Sequence, residues 1–182
     1  MHGSKLIDRQ LLYAGKKMKL ELHHLESNDE EGGSRHVREV VIHPGAVCVL
    51  PFLSEDEVLL IRNYRYPVGS YLIEVPAGTL EKNEDPINCA GRELLEETGY
   101  LASRMKPIGN FFTSPGILSE KMYAYAAYDL EKRVAALEEG EEIEVHPMGY
   151  EEAINAISDG RIHDGKTIAT LLMYDRMFRK RS

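Results

Sequence analysis

Between Gly78 and Tyr100 the chain signals a helix at both ends and then loads it against its own dipole. Asp85 is a good N-cap, Pro86 suits the first helical position, and Gly99 suits the position just past the end. Together they predict a helix over residues 86–98. Its last two turns carry Glu93, Glu96 and Glu97, where the negative end of a helix dipole disfavours anions. Like charges at i,i+3 and i,i+4 cost a further ~0.2–0.5 kcal/mol per pair. In the local sequence only Arg92 offsets this. A local rule broken without visible compensation is the usual mark of a functional site. Three carboxylates on one helical face suit a hard divalent cation such as Mg²⁺.

The spacing narrows the chemistry. Gly78, Glu84, Arg92, Glu93, Leu94, Glu96, Glu97, Gly99 and Tyr100 fit the pattern G-x5-E-x7-R-E-U-x-E-E-x-G-U, where U is a large apolar residue. At roughly 6–7% usage per residue type, its seven fixed positions match by chance on the order of once in 10⁸ starts. The stretch resembles the signature of the Nudix hydrolases, with Tyr100 where an aliphatic residue is more usual. That resemblance implies an α/β (α+β) chain folded as an α/β/α sandwich, a mixed β-sheet lying between helices. It also implies about two or three Mg²⁺ ions per site, with Mn²⁺ as a possible substitute. Glu93, Glu96 and Glu97 would be ligands, Glu97 being catalytic as well, and the carbonyl of Ala77 would join them. Gly78, Glu84, Arg92 and Gly99 would be structural. Gly78 would allow close backbone approach, and Arg92 would orient the loop by pairing with Glu84 or a neighbouring glutamate.

Around this box the chain reads as one domain of 182 residues, large enough to bury a core, with a small element in front. Residues 1–43 read as antiparallel strands: Met18, Leu20 and Leu22 alternate with polar residues, and Val37, Val40 and Ile42 continue the pattern. His43-Pro44-Gly45 breaks the run, and residues 44–182 form the main domain. Ala46–Phe52 and Val58–Tyr64 read as a hairpin in a mixed sheet. Further strands follow at 71–75, 106–112, 122–128 and 143–145, with helices at 150–158 and 166–178. Ile87, Ala90 and Leu94 read as the core stripe of the box helix. Arg62 and Arg65 end a strand, where composition alone leaves a solvated edge and a functional role equally open. A leading antiparallel unit has an exposed edge to hide; relatives of the kind this chain resembles often swap such strands across a homodimer.

Two further stretches resemble one branch of that superfamily. Residues 72–78, Leu-Ile-Glu-Val-Pro-Ala-Gly, and Pro115, fifteen residues beyond Tyr100, are similar to features of the ADP-ribose pyrophosphatases. Physically, Pro115 is a rigid turn shaping a pocket wall. The branch implies substrate contacts from Pro115, Gly116 and Glu120, and phosphate contacts from Arg38 and Arg65, whose planar forks match phosphate oxygens. Residues 138–144, Glu-Glu-Gly-Glu-Glu-Ile-Glu, read as a Gly-hinged acidic loop able to bring a carboxylate to bound water. The resemblance makes Glu139 the candidate base and Glu141 the candidate catalytic ligand, an assignment that can be exchanged. The implied activity is Mg²⁺-dependent hydrolysis of the diphosphate bond of ADP-ribose or a related nucleoside diphosphate sugar. The alternatives are a preference for hexose substrates such as GDP-mannose or ADP-glucose, and a non-catalytic nucleotide-binding regulator.

The charge balance excludes other classes. A net charge of −8 leaves no basic surplus to replace counterions on nucleic acid. Cys48 and Cys89 sit in apolar contexts and read as buried thiols in a reducing compartment. No apolar run approaches the roughly 20 residues of a membrane span, and the cytoplasm is the expected location. Neither zinc-type cysteine spacing nor a Gly-rich phosphate loop is present.

Overall fold

The computed structural model describes residues 4–27, 34–137 and 142–179. The chain divides into two compact units, residues 1–45 with 112–121, and residues 46–111 with 122–182. In the first, β1 (Lys5–Ala14), β2 (Lys19–Glu26) and β3 (Arg35–Ile42) form an antiparallel sheet in that order. β1 is its edge, and Ile7, Leu11, Leu12 and Tyr13 along it are exposed. The turn at 113–120 belongs to the same unit. Val41 N–H donates to the Ile117 carbonyl at 2.8 Å, and Ser119 N–H to the Val41 carbonyl at 2.9 Å.

The second unit is built on β4 (Ala46–Ser54), which pairs parallel with β9 (Lys121–Lys132) and antiparallel with β5 (Glu57–Arg65) and β7 (Ala77–Thr79). The strand order is β10-β5-β4-β9-β8, where β8 is Tyr100–Phe112 and β10 is Ile143–Gly149; β6 (Ser70–Glu74) pairs with β5. β4 is a continuous apolar run because both of its faces are covered. Alternate residues point opposite ways along a strand, and the core divides accordingly. Val47 and Val49 pack with Cys89, Ala90 and Leu94 of α1 (Pro86–Thr98). Cys48, Leu50 and Phe52 pack with Tyr150, Ala153 and Ala156 of α2 (Tyr150–Ser158) and with Leu171 and Tyr174 of α3 (Gly165–Phe178). Helices therefore flank a mixed sheet, as expected. Ile87 differs from its assignment to the core stripe. It is 41% exposed, because it lies in the first turn of α1, outside the cluster on β4, and Cys89 is buried instead. Among the described residues no helix is long and apolar enough to cross a membrane.

Candidate active site

The capping residues hold α1 where the sequence places it. Asp85 Oδ1 accepts from Ile87 N–H at 3.1 Å, and Gly99 closes the helix at φ +72° with its N–H on the Leu95 carbonyl at 2.9 Å. The crowded negative end is answered by a segment far along the chain. Arg133 N–H donates to the Gly99 carbonyl at 2.6 Å and Ala136 N–H to the Glu96 carbonyl at 3.0 Å. These satisfy carbonyls that a helix end leaves without intrahelical partners. Gly99 is required twice over: its backbone is left-handed, and a Cβ there would stand 2.9 Å from Ala135 N.

Arg92 gathers the carboxylates. It donates from Nε and Nη2 to the two oxygens of Glu84, each at 3.0 Å, and from Nη1 to Glu93 Oε1 at 2.7 Å and Glu96 Oε2 at 3.0 Å. The orienting pair expected between Arg92 and Glu84 is therefore bidentate. It lowers the Glu84 carboxyl from 4.5 to about 2. A carboxylate whose pKa falls on folding adds stability above its unfolded pKa, and loses it as pH drops through the folded value. Wild-type protein should thus lose this contribution between about pH 4.5 and 2. The Glu84→Gln variant, unfolded by urea across the same range, should show a shallower acid limb. An unchanged slope would remove the pair from the account.

The glycine that opens the box has a steric cause. A Cβ on Gly78 would lie 1.8 Å from Glu93 Cδ and about as close to both of its oxygens, so Glu93 rests directly on the β7 backbone. Glu97, only 5% exposed, accepts from Ala77 N–H at 2.9 Å. Two of the three box carboxylates therefore flank residues 77 and 78, while Glu96 joins Glu93 at Arg92. The Gly78→Ala variant should keep its fold and lose at least about a hundredfold in kcat, a loss of the size expected when a catalytic group is displaced by about 1 Å. Circular dichroism and turnover would check it together; full activity would contradict it.

These groups fit a divalent cation. Glu93 and Glu96 already converge on one cationic nitrogen, and Glu97 and the Ala77 backbone lie beside them. Among the described residues there is no group of three His, Cys, Asp or Glu side chains placed so that together they could hold a metal ion. Mg²⁺ does not require one: it keeps several waters and is commonly held by one or two carboxylates together with substrate phosphates.

Arg65 is engaged in a way the sequence reading missed. Its fork meets Glu74, Nε to Oε1 at 2.8 Å and Nη2 to Oε2 at 2.5 Å, and Glu74 is fully buried. Lys166 Nζ reaches the same Oε2 at 2.5 Å and Asp164 Oδ2 at 3.0 Å. Asp164 caps α3 through Thr167 N–H at 2.9 Å, and the Thr167 hydroxyl oxygen accepts from Val75 N–H at 2.9 Å. The Glu74 hydrogen bond raises the Arg65 pKa, with smaller contributions from its charge and from Glu97 and Asp164. Arg65 and the box thus share one electrostatic neighbourhood, and Arg65, though partly exposed, is tied to a buried carboxylate. A charged Glu74 between Ile73 and Val75 was the available sequence signal for this network.

The remaining candidates belong to the first unit or fall outside the described residues. Arg38 is exposed on β3, and Pro115 and Gly116 are exposed in the turn where Ile117 and Leu118 N–H both donate to the Ser114 carbonyl. Glu120 accepts from the Thr113 hydroxyl at 2.6 Å and stands 3.5 Å from His43 Nδ1. All four belong to the first unit, whereas Arg65 and the box belong to the second. Glu139 and Glu141 lie outside the described residues. The next residue, Glu142, accepts from the Tyr71 hydroxyl at 2.9 Å and from Tyr64 N–H, just before the β10–β5 ladder begins at Ile143.

A NUDIX-domain profile matches residues 42–171, a span that contains the whole acidic box. The chain belongs to the Nudix family. It is 37% identical over 166 residues to a methanol dehydrogenase activator of Bacillus methanolicus, covering 90% of this chain and 88% of that one. Identity to an ADP-ribose pyrophosphatase of Bacillus subtilis is 36% over 167 residues, with the same coverage. A GDP-mannose pyrophosphatase of Pectobacterium atrosepticum is 35% identical over 150 residues, 77% of each chain. Among solved structures, an ADP compounds hydrolase superposes with a TM-score of 0.83 over 95% of this chain and 92% of the other; at 22% identity this is likeness of fold alone.

Proposed function

We propose that this Nudix chain is a divalent-cation-dependent pyrophosphohydrolase of nucleoside diphosphate sugars, with ADP-ribose as its leading substrate. The observation that carries the reading is the seating of Glu93 and Glu97 against residues 77–78, with Arg92 tying Glu93 to Glu96 and Glu84. Magnesium bound there would screen the diphosphate's charge and lower the pKa of a water. The protein's own part is to aim the carboxylates. Arg92 fixes Glu93 and Glu96 from the helix side, and the Ala77 amide fixes Glu97. Arg65, held by Glu74 through Nε and Nη2, meets a phosphate oxygen, and Glu139 or Glu141 takes the proton from the attacking water. ADP-ribose would yield AMP and ribose 5-phosphate.

The similar proteins point the same way in class and differ in substrate, since one is named for ADP-ribose and another for GDP-mannose. The box does not separate these, because it meets only the diphosphate. The relative named as a methanol dehydrogenase activator favours a second reading, in which the chain acts on a partner dehydrogenase. A panel of ADP-ribose, GDP-mannose, UDP-glucose, ADP-glucose and a diadenosine polyphosphate, ranked by kcat/KM with Mg²⁺, tests the assignment. ADP-ribose should rank first. A hexose substrate in that place would move the assignment to the alternative, and no turnover of any would favour the partner reading. The exposed β1 edge supports a homodimer, which sedimentation would show; a monomer would contradict it.

A further inference from the structure

Asn63, on β5, is only 6% exposed, yet its side chain makes no hydrogen bond within the described residues. The residues opposite it in the two ladders are Leu72 on β6 and Ile143 on β10, whose side chains offer no polar group. Arg65, two residues on, is committed to Glu74 through Nε and Nη2. Among the described residues only the Tyr150 hydroxyl is both sealed from solvent and without a partner, so the Asn63 amide keeps an opening to solvent. Burying an amide without a partner costs stability, and such groups are the exceptions whose role lies outside folding.

The face that carries Asn63 is the face of the acidic box. Alternate residues of a strand share a face, as do residues paired across a ladder. Asn63 therefore shares one with Ile61 and Arg65, and with Glu74, which pairs with Ile61. The register that pairs Phe52 with Val58 sets Asn63 level with Val47, and Val47 pairs with Gly78. On that face Val47 packs with α1, and Gly78 lies directly against Glu93.

We propose that Asn63 is a further substrate-contacting residue, its amide N–H donating to a non-bridging oxygen of the diphosphate. The assignment rests on the nucleoside diphosphate sugar reading and adds a donor to it. Arg65 stands about 7 Å further along the strand, so the two side chains grip one diphosphate from adjacent positions. A second cation at residue 63 would pair with the box carboxylates and compete with the metal. An amide donates to a phosphate oxygen and carries no charge to do so.

The variants Asn63→Leu and Asn63→Asp test it through kcat/KM for ADP-ribose with Mg²⁺, the urea midpoint, and Mn²⁺ affinity without nucleotide. Leucine has nearly the shape of asparagine and lacks the amide. Its kcat/KM should fall at least about tenfold, the loss of a hydrogen bond to a charged group. Its urea midpoint should equal or exceed that of wild type, because no buried amide is left unpaired, and its Mn²⁺ affinity should be unchanged. Aspartate turns the donor into an anion facing phosphate, so its kcat/KM should fall at least about tenfold below that of the leucine variant. Full activity in Asn63→Leu would overturn this assignment alone and leave the nucleotide-sugar reading standing. A lower urea midpoint or weaker Mn²⁺ binding in that variant would place the role of Asn63 in the fold or the metal site, and overturn it too. Wild-type activity in Asn63→Asp would overturn the phosphate contact, since an acceptor would then suffice. Wild-type protein that turns over no nucleoside diphosphate sugar would overturn the reading itself, and this assignment with it.

Discussion

Replacing Glu97 by Gln should lower kcat about a thousandfold, roughly 4 kcal/mol of transition-state stabilisation, with the fold intact. The side chain is 5% exposed, and one oxygen accepts from the Ala77 amide. Glutamine keeps that acceptor and nearly the same volume, so the packing of α1 on β7 survives. What it loses is the negative charge, and a neutral amide is a poor ligand for a hard cation. A collapse of kcat with an unchanged circular dichroism melt would match; near wild-type turnover would refute a metal role for Glu97.

A comparable loss, this time of stability, should follow from Glu74→Gln. Glu74 has no exposed surface, and it faces Arg65 and Lys166, the latter 11% exposed. Removing the anion leaves two cations facing a neutral amide, with only Asp164 still paired to Lys166. Breaking a buried pair by removing one partner typically costs about 3–5 kcal/mol. Because Arg65 remains 39% exposed and can turn to water, the lower end, about 3 kcal/mol, is expected here. Urea unfolding should show a lower midpoint at an unchanged slope, and a shift worth under about 1 kcal/mol would contradict the network's role. Glu74 ends β6, three residues before Ala77, so the same substitution should also weaken the box.

These two residues mark how far the sequence was legible. The ends of α1 were readable because Asp85, Pro86 and Gly99 act on backbone within a turn of themselves. The Arg92–Glu84 pair was readable because eight residues of loop and helix return the chain to itself. Glu74 showed only as a charge within an apolar strand: Arg65 is nine residues away, but Lys166 is 92 residues away and no local pattern joins them. The offset for the crowded helix end was equally hidden, because Glu96 and Gly99 are answered by the N–H groups of residues 136 and 133. Ile87 was misassigned for a related reason: periodicity gives the angle of a side chain about a helix but not where the neighbouring strand ends.

In the proposed function Glu93, Glu96 and Glu97 hold the cations that hydrolysis uses. Electron paramagnetic resonance of free Mn²⁺, with a non-hydrolysable ADP-ribose analogue present, tests it without relying on turnover. Wild-type protein should take up about two or three ions per chain, and Glu97→Gln should take up at least one fewer or bind at least about tenfold more weakly. Equal uptake at equal affinity by the two proteins would contradict the account.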